Sequence, residues 1–379
     1  MIKLLTIIGA RPQIIKAAAI SRAINKSFLS QINEVIVHTG QHYDQNMSEV
    51  FFEELAIPQP DYNLNVGSAS HGVQTARMIE GIEELLIKEK PDYLVLYGDT
   101  NSTLAGAIAA SKLDIKIVHI EAGLRSFNRK MPEEVNRVVA DHLSTLLFSP
   151  TKAGYDNLIN EGFKPGITND FSPDKPGIFH CGDIMLDNSL YFASIAGAES
   201  KILSQYNLNN EKYVLATVHR DHNTDNPENI KSIFNAFIDI SKSVKIVLPL
   251  HPRTKKILYS IIHTDLLKKI KQNPNILLLP PVSFLDMINL EKNASMIITD
   301  SGGVQKEAYF FNHPCIILRP ETEWIEIVKT DNAVLCGADY SKIINAFSYF
   351  ENKKEYNFPK IFGDGKAAEF ILKTIFDNG

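Results

Sequence analysis

The eight-residue segment 300–307 carries the residue types in this chain that are best suited to binding an anion. It follows the apolar run 296–299, which has the composition of a buried parallel strand, and a helical pattern follows it. At such a turn Gly302 and Gly303 leave backbone N–H groups bare at a helix N-terminus, where anions bind. With a serine hydroxyl beside them and Glu307 one helical turn further on, the segment predicts a phosphate joined to a ribose, and hence a nucleotide-linked substrate. The alternative is an Asp or Ser N-cap whose glycines serve only helix–sheet packing.

Polar motifs follow seven other predicted strands, and all eight motifs share one position in the fold. They comprise residues 9–13, 39–42, 98–100 and 119–123 in the first half of the chain and 218–221, 251–253, 301–303 and 319–323 in the second. Ligands of open parallel sheets bind beyond the carboxyl ends of the strands, where these motifs lie. Two sheets that face each other across a cleft would account for all eight.

Basic side chains in and near these motifs suit the phosphates of such a substrate. Those assigned to a diphosphate are Arg11, Lys16, Arg137, His219 and Arg319. An arginine fork pairs with two oxygens at once, which makes the arginines well suited to this task. The alternatives are a strand-end salt bridge for Arg319, a solvated helix position for Lys16, and an i,i+4 surface pair with a glutamate for Arg137.

Three carboxylates in the first half, Asp99, Glu121 and Glu133, suit acid–base catalysis. Carboxylates clustered in a half-closed cleft push their pKa values apart, so that one holds a proton while another stays ionised. Asp99 could instead cap a helix, whereas Glu121, which precedes an Ala-Gly pair, has no such alternative. We expect this set to supply a general acid and a general base.

Three further polar residues, Gln41, His42 and His251, are assigned to substrate binding from the same positions. His251 precedes a proline and could merely cap a turn, whereas His219 ends a buried apolar run, which favours a functional role. The first strand is followed by no GxGxxG motif, and the chain contains neither HExxH nor a nucleophile elbow. The sequence therefore predicts no cofactor and no metal.

Composition and charge narrow the class of protein. The 379 residues are enough for two domains, and 44% hydrophobic and 22% charged residues are ordinary for a globular protein. A net charge of -5 argues against a nucleic-acid binder with a broad basic face. Three scattered cysteines without a CxxC pair indicate neither a disulfide framework nor a zinc site. Because no apolar run approaches the roughly 18 residues that span a bilayer and the N-terminus does not resemble a signal peptide, we expect a cytoplasmic protein without membrane contact.

The elements that must position these residues alternate between short β-branched runs and longer amphipathic segments, which predicts βαβ units. Predicted strands are 3–8, 34–39, 93–97, 115–120, 145–149, 177–180, 213–218, 244–250, 275–279, 295–299 and 314–318. Predicted helices in the first half are 12–27, 44–54, 70–88, 100–111, 132–143 and 151–160. Since residues 162–177 are rich in proline and glycine, we predict domains over 1–168 and 177–358. We expect the last segment, 359–379, to form a helix that packs back on the first domain.

In this order the motifs resemble the non-hydrolysing UDP-N-acetylglucosamine 2-epimerase family over nearly the whole chain. The matching signatures are GARP at 9–12, TGQH at 39–42, GDT at 98–100, EAGLR at 121–125, PEEVNR at 132–137, HR at 219–220 and DSGGVQKE at 300–307. The resemblance implies an α/β fold of two Rossmann-like domains that face each other across a cleft, as in B-type glycosyltransferases. It also implies a homodimer, with the nucleotide held mainly by the C-terminal domain.

The resemblance further implies a reaction and roles for the residues above. The family inverts C2 of a UDP-linked 2-acetamido sugar by eliminating UDP to a bound glycal and adding it back. Matching positions make Asp99, Glu121, Glu133 and His219 catalytic. The residues implied for the diphosphate are Arg11, Ser301, Gly302, Gly303 and Arg319, and Glu307 is implied to accept hydrogen bonds from the ribose.

The chain departs from the commonest bacterial members of that family. It has Gln13 and Lys306 where they often carry Glu, and it differs from them over 219–227. Together with residues 125–128 and 182–187, these departures resemble the branch that epimerises UDP-2,3-diacetamido-2,3-dideoxyglucuronate. The expected substrate is that sugar nucleotide or UDP-N-acetylglucosamine. The alternative functions are a hydrolysing 2-epimerase, a B-type glycosyltransferase and a non-catalytic nucleotide-sugar binder.

Overall fold

A computed structural model describes four stretches of the chain, namely residues 1–41, 58–164, 170–260 and 264–378. The chain divides into two compact units. The first is Met1–Asn188 together with Lys360–Gly379, and the second is Ser189–Pro359. No helix within the described stretches is long and apolar enough to cross a membrane.

The first unit is built on a parallel sheet of seven described strands. They are β1 (Ile2–Ile8), β2 (Ile32–His38), β3 (Tyr62–Asn63), β4 (Tyr93–Tyr97), β5 (Lys116–Ile120), β6 (Leu146–Ser149) and β7 (Gly177–His180). Their spatial order is β3-β2-β1-β4-β5-β6-β7, and every neighbouring pair is parallel. All five residues of β4 are buried and apolar, as expected for a central strand that is covered on both faces.

Helices connect these strands and place their N-termini at the carboxyl ends of the sheet. They are α1 (Arg11–Ala23), α2 (His71–Glu89), α3 (Asn101–Lys112), α4 (Pro132–Leu143), α5 (Lys152–Asn160) and the start of α6 (Ile184–Glu199). Helix α1 continues into a π-helical turn, Ile24–Phe28. The last helix of the chain, α16 (Ala367–Asp377), packs against α1 within the first unit.

The second unit has a parallel sheet of six described strands. They are β8 (Tyr213–Thr217), β9 (Lys245–Pro249), β10 (Ile276–Leu279), β11 (Met296–Thr299), β12 (Cys315–Ile317) and β13 (Ala333–Leu335), in the spatial order β10-β9-β8-β11-β12-β13. Its helices are α7 (Ile202–Gln205), α8 (Asp221–Thr224), α9 (Pro227–Ile240), α10 (Pro252–Ser260), α11 (Thr264–Gln272), α12 (Phe284–Asn293), α13 (Gly302–Phe310), α14 (Ile325–Lys329) and α15 (Tyr340–Asn352). Buried apolar side chains of the sheet, α9 and α15 form one core.

The division between the units differs from the boundaries 1–168 and 177–358 that composition predicts. Strand β7 pairs with β6 in the first sheet, with Leu146 opposite Gly177. The proline- and glycine-rich segment is therefore a connection within the first unit, and the change of unit falls inside α6, after Asn188. Strands β3 and β13 are not predicted, because two or three residues are too few for a periodic pattern. The predicted helix 44–54 lies outside the described residues.

Candidate active site

Glu121 and Lys16 form a partly buried ion pair at the carboxyl end of the first sheet. The Lys16 Nζ lies 2.6 Å from the Glu121 Oε1, and the two side chains are 9% and 12% exposed. Lys16 is therefore not a solvated helix residue, although it lies in the middle of α1. Glu121 follows β5 with φ of 75°, a left-handed conformation that is costly for a residue other than glycine and is often found at functional sites.

A second carboxylate, Asp99, lies on the neighbouring turn and has a cation of its own. The Arg137 Nη2 lies 2.5 Å from the Asp99 Oδ2, and its Nη1 donates to the Glu134 Oε2 at 2.9 Å. Arg137 is thus buried between two carboxylates, and the surface pair with Glu133 that was the alternative does not form among the described contacts. Thr100 caps the N-terminus of α3, because its side chain accepts a hydrogen bond from Thr103 N. Asp99 is therefore not the helix cap.

The turn before Asp99 brings the two carboxylates together. Gly98 has φ of 59°, and a Cβ built there would lie 3.2 Å from both the Glu121 Oε1 and the Lys16 Nζ. A side chain at this position would press on the ion pair, which explains the glycine. Burial raises the pKa of Asp99, and the charge of Glu121 adds to it, whereas the charges of Arg137 and Lys16 act in the opposite direction.

Glu134, rather than Glu133, organises the loop that leads into α4. Its carboxyl accepts hydrogen bonds from Ser126 N at 2.9 Å, Ser126 Oγ at 3.0 Å and Phe127 N at 3.0 Å. Burial alone would raise the pKa of Glu134, but these hydrogen bonds and Arg137 lower it below its usual range. Glu133, the preceding residue, is exposed.

The remaining assigned residues of the first unit differ in their surroundings. Gln41 is buried, and its Oε1 accepts from Ser102 N and Oγ at 3.2 and 2.8 Å, so its side chain supports the start of α3. Arg11 is exposed at the start of α1. The Gln13 Oε1 accepts from Gly9 N and Ala10 N, which occupies two amides of this turn. His42 lies outside the described residues.

In the second unit, Asp300 joins the ends of β8 and β11. It is fully buried, and its carboxyl accepts from His219 N, Arg220 N and the Asn223 Nδ2, each at 3.0 Å. The sequence placed Asp300 only in a motif or as a possible cap. The structure shows that it holds the His219 turn beside Ser301.

His219 is a polar group at this junction rather than a fixed positive charge. Its Nδ1 lies 3.5 Å from the Asp300 Oδ1, and its ring centroid lies 5.6 Å from that of His251. Burial lowers the pKa of His219, and Arg220 and His251 add to this effect, against the opposing charge of Asp300. The His251 Nδ1 accepts from Arg253 N at 3.2 Å, which is the turn-capping contact that was its alternative.

Gly302 and Gly303 begin α13 without being required by packing. A Cβ at Gly302 would meet no described atom closer than 3.6 Å, and one at Gly303 none closer than 3.9 Å. Neither residue has a positive φ. The alternative, that helix–sheet packing demands the glycines, is therefore not supported, and space for an approaching ligand explains them better.

Arg319 lies beside this turn, but its side chain is paired with Glu323, four residues further along the chain. Its Nη1 and Nη2 each donate to Glu323 at 2.9 Å, which is the salt bridge that was its alternative. Burial would raise the pKa of Glu323, but the hydrogen bonds and charge of Arg319 lower it. The Arg319 Nη1 would lie 3.7 Å from a Cβ at Gly302, so the guanidinium still borders the amides of α13.

Glu307, half-buried one turn into α13, faces a second carboxyl. Glu291 in α12 is fully buried. Burial raises the pKa of Glu291 well above its usual range, and the neighbouring Glu307 raises it further. These surroundings favour the protonated form of Glu291.

Helical spacing could have revealed the part of the site that residue type alone missed. Glu134, Arg137 and Asp141 lie at i, i+3 and i+7, on one face of α4, and all three are buried. Glu133 is off that face. Glu291 carries no comparable signal, because its partner Glu307 belongs to another helix.

Comparison with known proteins places the chain in a family. The family model described as UDP-N-acetylglucosamine 2-epimerase matches residues 25–376. The chain therefore belongs to the UDP-N-acetylglucosamine 2-epimerase family, whose members are isomerases, and the resemblance drawn from the motifs is confirmed. Among the described residues, no group of three His, Cys, Asp or Glu side chains is arranged to hold a metal.

Relatives with two different substrate names cover almost the whole chain. A UDP-N-acetylglucosamine 2-epimerase homolog of Methanococcus maripaludis is 50% identical over 375 residues, which are 98% of this chain and 99% of that protein. The UDP-2,3-diacetamido-2,3-dideoxy-D-glucuronate 2-epimerase of Pseudomonas aeruginosa is 44% identical, with 98% and 99% covered. These names give equal support to UDP-2,3-diacetamido-2,3-dideoxyglucuronate and to UDP-N-acetylglucosamine as the candidate substrate.

A solved structure confirms the predicted fold class of two parallel-sheet, Rossmann-like α/β domains. The crystal structure of Methanocaldococcus jannaschii UDP-GlcNAc 2-epimerase in complex with UDP-GlcNAc and UDP matches with a TM-score of 0.82 and 44% identity, and all of both chains is covered. A UDP-sugar is thus the ligand seen in that relative.

Proposed function

We propose that this chain inverts C2 of a UDP-linked 2-acetamido sugar without net hydrolysis. The observation that carries the proposal is the pair of neighbouring carboxylates Asp99 and Glu121, each with its own cation, in a chain of the 2-epimerase family. Inversion at one carbon needs a proton removed from one face and another delivered to the opposite face. Two positioned acid–base groups meet that need.

The proposed chemistry balances without an oxidant or a cofactor. A base takes the C2 proton, the electrons of that C–H bond become the C1=C2 double bond of a glycal, and the C1–O pair leaves with UDP. A second group then protonates C2 from the opposite face, and a phosphate oxygen of UDP re-forms the bond to C1. We assign these transfers among Asp99, Glu121 and Glu133, and the raised pKa of Asp99 suits the protonated role.

We assign UDP to the carboxyl end of the second sheet. The Ser301 hydroxyl and the amides of Gly302 and Gly303 would hold phosphate oxygens, because the N-terminus of α13 is open to an anion. Glu307 would accept hydrogen bonds from the ribose hydroxyls, as the family resemblance implies. His219 would serve as a donor or a base rather than as a fixed cation, since burial favours its neutral form.

We assign the remaining basic residues of the two units, Arg11 and Arg319, to the diphosphate, as the family resemblance implies. We also propose that the enzyme works in the cytoplasm as a homodimer. The three cysteines are free, which fits a reducing compartment. Sedimentation of the purified chain tests the dimer, and a monomer at working concentration would contradict it.

Proton NMR in heavy water tests the proposed reaction directly. The purified chain is incubated with UDP-N-acetylglucosamine in one tube and with UDP-2,3-diacetamido-2,3-dideoxyglucuronate in another. We expect a C2 epimer and deuterium at C2 in at least one tube, with the sugar still linked to UDP. Stoichiometric release of UDP would indicate the hydrolysing reaction instead, and release that requires a sugar acceptor would indicate a glycosyltransferase. Binding without deuterium exchange would show that the chain only binds the nucleotide sugar.

A further inference from the structure

His119 lies fully buried at the end of β5, between the two turns that carry Asp99 and Glu121. Its Nδ1 is 2.7 Å from the Asp141 Oδ1, and its Nε2 is 2.8 Å from the carbonyl oxygen of Gly98. Both ring nitrogens therefore contact oxygen atoms at hydrogen-bond distance. Neither contact belongs to the acid–base groups assigned above, so His119 has a separate role.

The partners of His119 decide which ring nitrogens carry protons. A backbone carbonyl can only accept a hydrogen bond. Asp141 is also an acceptor, because its other oxygen already accepts from Gly123 N at 3.1 Å and pairs with the Arg125 Nη1 at 2.7 Å. Burial acts to raise the pKa of Asp141, but His119 and Arg125 lower it below its usual range, so the carboxyl is ionised. Since both partners are acceptors, both contacts are hydrogen bonds only if both ring nitrogens of His119 donate, which requires an imidazolium.

A buried imidazolium is tolerable here because its surroundings neutralise it. Asp141 lies between His119 and Arg125, and the Arg125 Nε pairs with the Glu161 Oε1 at 2.6 Å. The cluster thus holds two cations and two anions. Its charges are paired and hydrogen-bonded, which is the condition for burying them.

The same cluster forms hydrogen bonds to both the turn that carries Asp99 and the turn that carries Glu121. His119 binds the carbonyl of Gly98, the residue before Asp99, and Asp141 binds the amide of Gly123, two residues after Glu121. Gly98 and Gly123 have φ of 59° and 79°, a left-handed conformation that glycine adopts without strain, so these hydrogen bonds fix where the turns lie rather than relieve strain in them. A neutral histidine has a single N–H and could satisfy only one of its two partners.

We propose that His119 is a positioning residue, held as a buried imidazolium, that fixes the Asp99 and Glu121 turns relative to each other. The role in catalysis depends on the proposed function, because it takes its meaning from Asp99 and Glu121. The charge state of the ring does not depend on that function. The two parts are therefore tested separately.

The charge state is tested by ¹⁵N NMR of the full chain labelled at histidine. The chain has 11 histidines, and the His119 signals are those absent from the His119→Gln variant. We expect both ring nitrogens of His119 to carry a proton at neutral pH, because both face acceptors. A ring with one unprotonated nitrogen at neutral pH would overturn the proposal, whatever the activity of the enzyme.

The positioning role is tested with His119→Asn and His119→Gln. The Asn amide approximates the reach of Nδ1 toward Asp141, and the Gln amide approximates the reach of Nε2 toward Gly98, so each variant keeps one contact. A misplacement of about 1 Å can cost roughly a hundredfold in rate, and we expect kcat to fall about ten- to a hundredfold in both variants. UDP affinity and the number of UDP sites should stay unchanged, because the described contacts of His119 reach none of the residues assigned to the nucleotide, most of which belong to the second unit.

Three results separate the possibilities. Full turnover by either variant would overturn the positioning role. Loss of UDP sites in proportion to activity would show that His119 only supports folding, and would overturn it too. A wild-type chain that epimerises neither UDP-sugar would refute the proposed function instead, while the NMR result would still decide the charge of His119.

Discussion

Arg137 holds Asp99 through a single charged contact, with the Arg137 Nη2 2.5 Å from the Asp99 Oδ2. The other end of the same guanidinium binds Glu134, which in turn orders the backbone of Ser126 and Phe127. One planar side chain therefore connects a catalytic candidate to the loop before α4. Only arginine has the fork to reach both carboxylates at once.

Replacing Arg137 should change the pH dependence of the reaction. In Arg137→Met the favourable charge beside Asp99 is lost, so the pKa of Asp99 should rise further and the limb of the kcat/KM profile that reports it should move to higher pH. Arg137→Lys keeps the charge but cannot contact both carboxylates, and should shift the profile less. Loss of a hydrogen-bonded charged partner should also destabilise the fold by about 1–3 kcal/mol in Arg137→Met. Identical pH profiles for the wild type and Arg137→Met would remove Asp99 from the rate-determining proton transfers.

Glu121→Gln should lower the rate of proton exchange at C2 without changing the affinity for UDP. The amide keeps the size of the side chain but cannot take up a proton at the pH of the reaction. We expect deuterium exchange at C2 to fall at least about a hundredfold, the scale of a general acid–base contribution. UDP affinity should be nearly unchanged, because most of the predicted nucleotide residues, from Ser301 to Arg319, follow strands of the other sheet.

Calorimetry with UDP and the heavy-water NMR assay measure these two quantities in one preparation. Lys16→Gln is a useful companion, because it leaves Glu121 without its cation at 2.6 Å. Exchange at the wild-type rate in Glu121→Gln would exclude this carboxyl from the mechanism.

The strand ends could be predicted from sequence, but the pairing of side chains around them could not. A polar motif after each β-branched run is enough to place Asp99, Glu121, His219 and Ser301 at the carboxyl ends of strands. Asp99 and Glu121 take their cations from helices, at sequence separations that no pattern encodes. Lys16 and Glu121 are 105 residues apart, which only the folded sheet brings to 2.6 Å.

Residue type was also a weaker guide than helical face. Glu133 and Glu134 are neighbours of identical chemistry, yet only Glu134 is buried with Arg137. The choice of Glu133 as a catalytic residue stays a prediction, and its exposure in the first unit leaves it accessible to substrate. The predicted domain boundary differs from the observed division of the chain for a similar reason, since proline and glycine mark a loop but do not say which sheet the next strand, β7, will join.

Gly303→Ala should increase the stability of the fold and weaken the binding of UDP. A Cβ at this position meets no described atom closer than 3.9 Å, and alanine is better than glycine inside a helix by roughly 1 kcal/mol. The same methyl group would stand where an anion must approach the amides of α13. We therefore expect a higher unfolding temperature together with at least about tenfold weaker UDP binding.

Gly197→Ala in α6 is the matched control, because a Cβ there has open space and no assigned ligand nearby. It should raise stability without changing UDP affinity. If Gly303→Ala bound UDP as tightly as the wild type, the start of α13 would not be the phosphate site.

Glu291→Gln should stabilise the protein increasingly as the pH rises toward neutral. The native pKa of Glu291 lies well above its ordinary value because the carboxyl is buried beside Glu307. At acidic pH the carboxyl is protonated in both the folded and the unfolded chain, so its ionisation does not lower the free energy of unfolding. As the pH passes the unfolded pKa, only the unfolded chain releases the proton, and unfolding becomes more favourable. Glutamine does not ionise in either state, so the gain over the wild type should grow with pH and exceed about 1 kcal/mol at neutral pH.

Urea unfolding of both chains across the acidic to neutral range measures this difference. Besides Glu307, Tyr213 in β8 is a titratable group near Glu291. Burial, together with the charge of Glu291, raises the pKa of Tyr213, so Tyr213 stays neutral over this range. Glu351→Gln, at an exposed position in α15, should show no gain that depends on pH. A gain for Glu291→Gln that is the same at every pH would mean that Glu291 is not the proton-holding member of the pair with Glu307.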